Sequence, residues 1–457
     1  RMEATNQIVG RIGGEAVASL TALLNDQETS AREYVHGLWA LYRLGSLPDK
    51  ILQRSIDSKS PLVRLHTMRI LGEIGPASPV SHEIGVSSLK DPDPHVQRAA
   101  VEVLMKFPDI SSVKQALETS RSVSVEDTHL MYTIRLTVRN LLRAEGVLQS
   151  VLEEQWPENE ERLIAEALLE VDSPLSAVFL SRFLSRQALS EKKTPLAYRQ
   201  LASALPGREL EKTIQDAMDR NIDSIAMATS ILKNIRRGLD QRADKVQPGI
   251  LRPHAIRMAN RIFEAFPPGD TTRAEEAFDY QSFAAELVGD FGIRSLEGPM
   301  RALFNRKAEG KEASQLRTAA FRSLVKLSNN NIDLAGPILQ DEHESLEFRR
   351  EVAKLLGEFP GARTTGILQK VDNPPAALQP FLVSSMAATP EGKDILFRQV
   401  RQGKIQARVL LEPQIEERIL LNISKAQRAE YRDLVANLLP VSEEKEKPAS
   451  DEIPWDK

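Results

Sequence analysis

Three stretches of this chain repeat one hydrophobic pattern. Val63, Thr67, Ile70, Leu71 and Ile74 form the first copy. Val96, Ala100, Val103, Leu104 and Phe107 form the second, and Phe348, Val352, Leu355, Leu356 and Phe359 the third. Each runs i, i+4, i+7, i+8, i+11, which is one apolar stripe on an α-helix. An acidic turn precedes each copy (Asp57, Asp91, Asp341), and an arginine follows that aspartate by 7, 7 and 8 residues (Arg64, Arg98, Arg349). A helix that recurs with its turn predicts a solenoid, because one unit cannot bury its apolar face without a neighbour.

The pattern extends into helix pairs along most of the chain. The first three are 15–24 with 31–44, 47–56 with 61–74, and 79–90 with 94–107. Gly45 closes the first pair and Gly75-Pro76 the second. Pro94 suits a first helical turn, where its missing N–H costs nothing. An Asp or Ser before each second helix can cap orphan N–H groups. Helices follow at 111–119, 125–143, 146–154 and 159–170, then pairs at 174–187 with 194–204 and 208–219 with 223–237. The stretch 238–251 reads as the longest loop. After Pro267-Pro268-Gly269 helices resume at 273–290, 295–305, 312–328, 331–339 and 344–359, and end with 361–371, 375–388, 391–401, 405–411, 414–423 and 426–439. The expected fold is all-α: a right-handed α-α superhelix over residues 1–440, of about twelve helix pairs. At about 8–10 Å per stacked helix this makes an arc on the order of 100 Å, with a concave face lined by second helices. Residues 441–457, charged and broken by proline, read as a linker or tail.

Composition changes this picture little. Apolar residues make up 41% and charged residues 27% of 457, which suits a folded chain. The net charge of −4 offers no basic field for nucleic acid or an anionic membrane. With no cysteine, thiolate metal sites, thiol nucleophiles, disulfides and covalent haem attachment are excluded. No run of about 18 apolar residues exists, so membrane insertion is not expected.

Candidate chemistry is sparse. None of the seven histidines forms an i, i+4 metal pair with a nearby acid. Gly10-Arg11-Ile12-Gly13-Gly14 lacks the Gly-Lys-Ser/Thr ending of a phosphate loop and reads as a turn. Glu153-Glu154, Glu158 and Glu160-Glu161 read as solvated acids. Tyr34, Leu38, Leu41 and Tyr42 fit a buried stripe beside Trp39, and Trp156 caps a turn. No catalytic residue, metal ligand or cofactor is nominated.

One polar pattern has a mechanism. An Asp in the turn and an Arg two helical turns on can bridge successive repeats by charge-assisted hydrogen bonds. The same arginines could instead form a positive stripe on the concave face, with Arg64, Arg69, Arg98, Arg317, Arg322, Arg349 and Arg350 as candidate binding residues. A 5% aromatic content argues against single-stranded nucleic acid there.

The Asp-x-x-x-x-x-Val-Arg opening, the stripe and a terminal glycine resemble the HEAT repeat. Asp57 to Gly75 is the best copy and Asp341 to Phe359 is close; Asp91 to Phe107 departs, with Gln97 where Arg is usual. A narrower resemblance covers most of the chain. Tyr34-Val35-His36-Gly37-Leu38-Trp39-Ala40-Leu41 is similar to the "HALWAL" start found in large exported proteins of planctomycetes and related bacteria. Leu168 to Leu184, Glu391-Gly392-Lys393, Gly403 to Arg408 and Leu411-Glu412-Pro413 match further blocks of that family. There, a sorbosone-dehydrogenase-like propeller precedes the array and a c-type cytochrome domain with a Cys-x-x-Cys-His motif follows it. The resemblance implies that this is the HEAT segment of an exported, periplasmic parent, with 441–457 leading toward the cytochrome domain. Neither redox part lies in this chain, so no catalytic or haem residue carries over. The expected role is a non-catalytic scaffold that docks a protein or neighbouring domains of its parent. A free-standing protein-binding adaptor is the alternative, and a HEAT-like enzyme with a groove active site a more distant one.

Overall fold

The computed structural model describes residues 2–77, 80–242, 248–270, 272–307 and 310–438. Every regular element among them is helical, and the chain is an all-α helix-pair stack of the HEAT/armadillo type. It divides into two compact units, Arg1–Val246 and Gln247–Lys457. The boundary falls inside the stretch 238–251.

In the first unit the second helices Ala31–Arg43, Pro61–Ile74, Pro94–Leu104, Thr128–Leu142 and Glu158–Leu168 pack one on the next. In the second unit the corresponding row is Ala274–Asp290, Lys311–Leu327, Leu346–Leu356, Gln379–Met386 and Pro413–Leu420. The repeated stripes make the seams between rungs. Val63, Thr67, Ile70 and Leu71 are buried, as are Val96, Ala100, Val103 and Leu104, and Phe348, Val352, Leu355 and Leu356. The fifth position, Ile74, Phe107 or Phe359, is half-buried each time. It sits at or beyond the helix end, where the chain turns away from the seam.

Local signals set the helix ends. Ser30 accepts from the Glu33 N–H and Glu33 reaches back to the Ser30 N–H, a capping box. Asp93 accepts from the N–H groups of His95 and Val96 before Pro94 opens its helix. Gly75 ends the helix Pro61–Ile74 at φ +57°, a left-handed conformation that glycine adopts without strain. Trp156 donates its indole N–H to the Val151 carbonyl at 2.9 Å and holds the turn after Glu145–Glu153.

Some expectations need correction. Gly238 does not open a loop. The helix Ile225–Asp240 runs through it, and it lies where that helix meets Thr194–Ala204. A side chain there would place its Cβ 2.1 Å from the Arg199 carbonyl oxygen and 2.8 Å from the Ala202 Cβ. The glycine serves backbone approach, not a turn. A helix absent from the sequence reading, Arg252–Ala265, follows a 3₁₀ turn at Pro248–Leu251. The segment expected as a helix over 405–411 is a 3₁₀ turn, Ala407–Leu411, which packs Val409 and Leu410 inward. Glu160 and Glu161 are not solvated; they are 6% and 8% exposed. Arg121 pairs with Glu160 and Arg186 with Glu161, in the first turn of Glu158–Leu168 where the helix dipole also favours a carboxylate. The expectation for residues 441–457 lies outside the described residues.

Candidate functional site

The seven arginines named from the sequence separate into three environments. Arg64 and Arg317 tie neighbouring rungs together. Arg64 donates through Nε and Nη2 to the two oxygens of Asp91, at 2.7 and 2.9 Å, and through Nη1 to the Ser58 carbonyl. Burial pushes the Asp91 carboxyl up. The Arg64 hydrogen bonds, the Asp93 N–H and the Arg64 charge outweigh it and hold the group below its usual range. Arg317, 7% exposed, donates to both oxygens of Glu344 at 2.7 Å and to the Phe304 carbonyl, with its guanidinium 3.8 Å from the Phe348 ring centroid. In both cases the acid lies 27 residues after the arginine. The aspartate–arginine bridge between repeats therefore exists at Arg64–Asp91, and Glu344 supplies the acid for Arg317.

Arg349 and Arg98 lack that partner. Arg349 is 6% exposed and donates to the Leu339 carbonyl at 2.7 Å. Arg98 is half-buried, with Nη2 3.4 Å from His95 Nδ1. The buried Nε of each has no hydrogen-bond partner. Arg69, Arg322 and Arg350 reach the surface. Arg322 makes a two-point pair with Glu358 at 2.7 and 2.9 Å. Arg350 donates to the Ala377 carbonyl and lies 5.6 Å from the Phe381 ring centroid. Arg69 is exposed.

The second-helix face of the first unit carries a feature that sequence reasoning missed. Trp39 Nε1–H donates to His66 Nδ1 at 3.0 Å, from one rung to the next. An indole nitrogen can only donate, so His66 Nδ1 carries no proton. Burial, then the charges of Arg69 and His36, hold the imidazole below its ordinary value. Leu62 and Arg69 on the His66 helix, His95 on the next rung and Tyr132 on the one after it are exposed. Helical register could have found these residues, since they occupy positions the buried stripes leave outward. The pairing of Trp39 with His66, 27 residues apart, could not be read without the rung offset.

The second unit presents a groove of about 650 Å³ between Gln379–Met386 and Pro413–Leu420. Phe381 and Ile415 line it with Lys354 and Arg418. Among the described residues, no group of three or more His, Asp or Glu side chains could hold a metal ion. No described helix is long and apolar enough to cross a membrane. What the two faces offer chemically is adjacent aromatic, apolar and cationic groups with separate hydrogen-bond donors, a composition suited to holding another chain.

Two of the motif blocks that carried the narrower resemblance contribute structural contacts. Lys393, 3% exposed, donates to the Leu421 carbonyl, and burial lowers its pKa. The Gln406 N–H donates to Gln379 Oε1 at 2.9 Å.

No protein-family model and no curated protein matches the chain. It is similar to solved structures of Kap121p, a karyopherin. Against Kap121p alone the TM-score is 0.56 at 12% identity, covering 94% of this chain and 50% of that one. Against Kap121p bound to RanGTP it is 0.54 at 13% identity, covering 95% and 50%. Against Kap121p bound to Nup53p it is 0.53 at 11% identity, covering 93% and 50%. The chain spans about half the length of these solved chains. The likeness establishes the HEAT-type fold.

Proposed function

We propose that this chain is a non-catalytic scaffold that binds protein through its second-helix faces. The observation that carries the reading is the division of labour along those helices. One side of each is sealed into the rung seam, while the other leaves Trp39, His66, Arg69 and Tyr132 in the first unit and Phe381 and Arg418 in the second available to a partner. Protein complexes of the structurally similar Kap121p support the same use of the fold. We place the chain in an exported, multidomain parent with a dehydrogenase-like propeller and a haem domain. That placement is supported by the sequence blocks at Tyr34–Leu41, Leu168–Leu184, Glu391–Lys393, Gly403–Arg408 and Leu411–Pro413 alone.

The test is photocross-linking from the full chain in its native host. Cross-linkers at Arg69, Tyr132 and Ser384 should trap protein, while one at exposed Glu211 on the first helix Gly207–Asn221 should not. Equal trapping from all positions, or none, counts against the scaffold. Dehydrogenase turnover by the purified chain also overturns it. A reading frame that continues into Cys-x-x-Cys-His supports the exported parent, and one that ends near Lys457 favours the free-standing adaptor.

A further inference from the structure

We propose that the groove of the second unit docks an extended acidic segment of a partner protein, with an apolar side chain seated on Phe381 and carboxylates on Arg350 and Arg418. This deepens the scaffold reading and rests on it.

Two arginines of this unit carry unmatched charge. Arg317, Arg322, Arg363 and Arg401 in this unit each meet a carboxylate. Arg350 and Arg418 meet none among the described residues. Arg350 donates only to the Ala377 carbonyl, and Arg418 only to Ser384 Oγ at 3.1 Å. A guanidinium has five N–H donors, so each retains several for a ligand. Both flank the same aromatic ring or groove. Lys354 and Arg418 line the groove with Phe381, and Arg350 and Lys354 sit 5.6 and 5.1 Å from the Phe381 ring centroid. Lys354 is partly matched by Glu351 on its own helix, and Glu412 is the one carboxylate in the lining. The local balance is therefore cationic although the whole chain is acidic.

The floor sets the rest of the ligand. Half-buried Phe381 and exposed Pro413 offer apolar surface, and the volume of about 650 Å³ lies within the usual range of about 300–1,000 Å³ for ligand sites. An extended segment sends alternate side chains to opposite sides. It can lay one apolar side chain on the floor while carboxylates reach the arginines as charge-assisted, two-point hydrogen bonds. A nucleic acid fits less well, because the floor contains one aromatic ring, not a stacking series.

The test uses the full chain and a fluorescein-labelled synthetic peptide in which leucines alternate with glutamates, read by fluorescence anisotropy. Saturable binding that weakens as salt rises is expected. Arg418→Glu and Arg350→Glu should each weaken it by about tenfold or more, and Phe381→Ala by a similar factor. Both arginines make only single side-chain hydrogen bonds, so circular dichroism of the charge-reversal variants should match the parent. A counterpart peptide with lysine for glutamate should not bind. Equal binding of the lysine peptide, indifference to both charge reversals, or displacement by an oligothymidylate at equal affinity would each overturn the proposal. If those results come with intact cross-links from Arg69 and Tyr132, the groove falls and the scaffold stands. Loss of all cross-links removes the scaffold itself.

Discussion

Arg317 donates to the Phe304 carbonyl and to both oxygens of Glu344 while lying against the Phe348 ring. With side-chain exposures of 8% and 16%, the two partners are poorly screened by water. Removing one leaves the other charge buried and unpaired, a cost of about 3–5 kcal/mol. Arg317→Met should therefore destabilise the second unit by about 3 kcal/mol in urea unfolding, and adding Glu344→Gln should recover much of that loss. The pair also carries a pH dependence. The Arg317 hydrogen bonds hold the Glu344 carboxyl below its ordinary value of 4.5. The folded chain thus binds fewer protons than the unfolded chain just below that pH. The stabilisation is complete above about pH 4.5 and is lost as pH falls through the lower folded value. Arg317→Met should flatten this acid limb of the unfolding profile, and an unchanged slope would deny the pair its assigned role. Asp91, held low by Arg64, contributes in the same direction in the first unit.

Between elements, the deciding quantity is how closely two helices approach. Ile225–Asp240 and Thr194–Ala204 meet through Gly238, Ala202 and the Arg199 backbone. Backbone cannot rotate out of the way as a flexible side chain can, so an added methyl group must push the helices apart. On intrinsic propensity alone, Gly238→Ala should favour the helix by about 1 kcal/mol. Overpacking opposes this, and the substitution should instead destabilise by about 1–3 kcal/mol, seen as a lower urea midpoint. A stabilised variant would show that the close approach is not held in solution. Helix ends obey more local rules. Ser30, Asp93 and Gly75 act within a few residues of themselves, which is why the helices at 31–43 and 61–74 lie within a residue of where the sequence places them.

Within each unit, a stack of rungs couples each rung mainly to its neighbours. Leu71 is fully buried in the seam of Pro61–Ile74. Leu71→Ala should cost about 2–5 kcal/mol, felt first by the rungs on either side. Amide hydrogen exchange should quicken in Ala31–Arg43, Pro61–Ile74 and Pro94–Leu104 while Lys311–Leu327 and Leu346–Leu356 keep their protection. Uniform loss of protection in both units would contradict nearest-neighbour coupling. The sequence by itself determined most of the helices, the buried stripe of the three repeated copies and several caps. Those features depend on a period of 3.6 residues and on contacts within about one turn, so spacing alone reveals them. Only the tertiary structure decided which charge meets which. Arg64 finds Asp91, Arg317 finds Glu344, and the acids Glu160 and Glu161 are drawn inward by Arg121 and Arg186. It alone decided that Gly238 serves a helix contact and that Trp39 binds His66. It alone brought Lys354, Phe381 and Arg418 around one groove and set Arg350 beside the same ring. Each depends on the offset between rungs, a distance in space that no spacing along a single helix encodes.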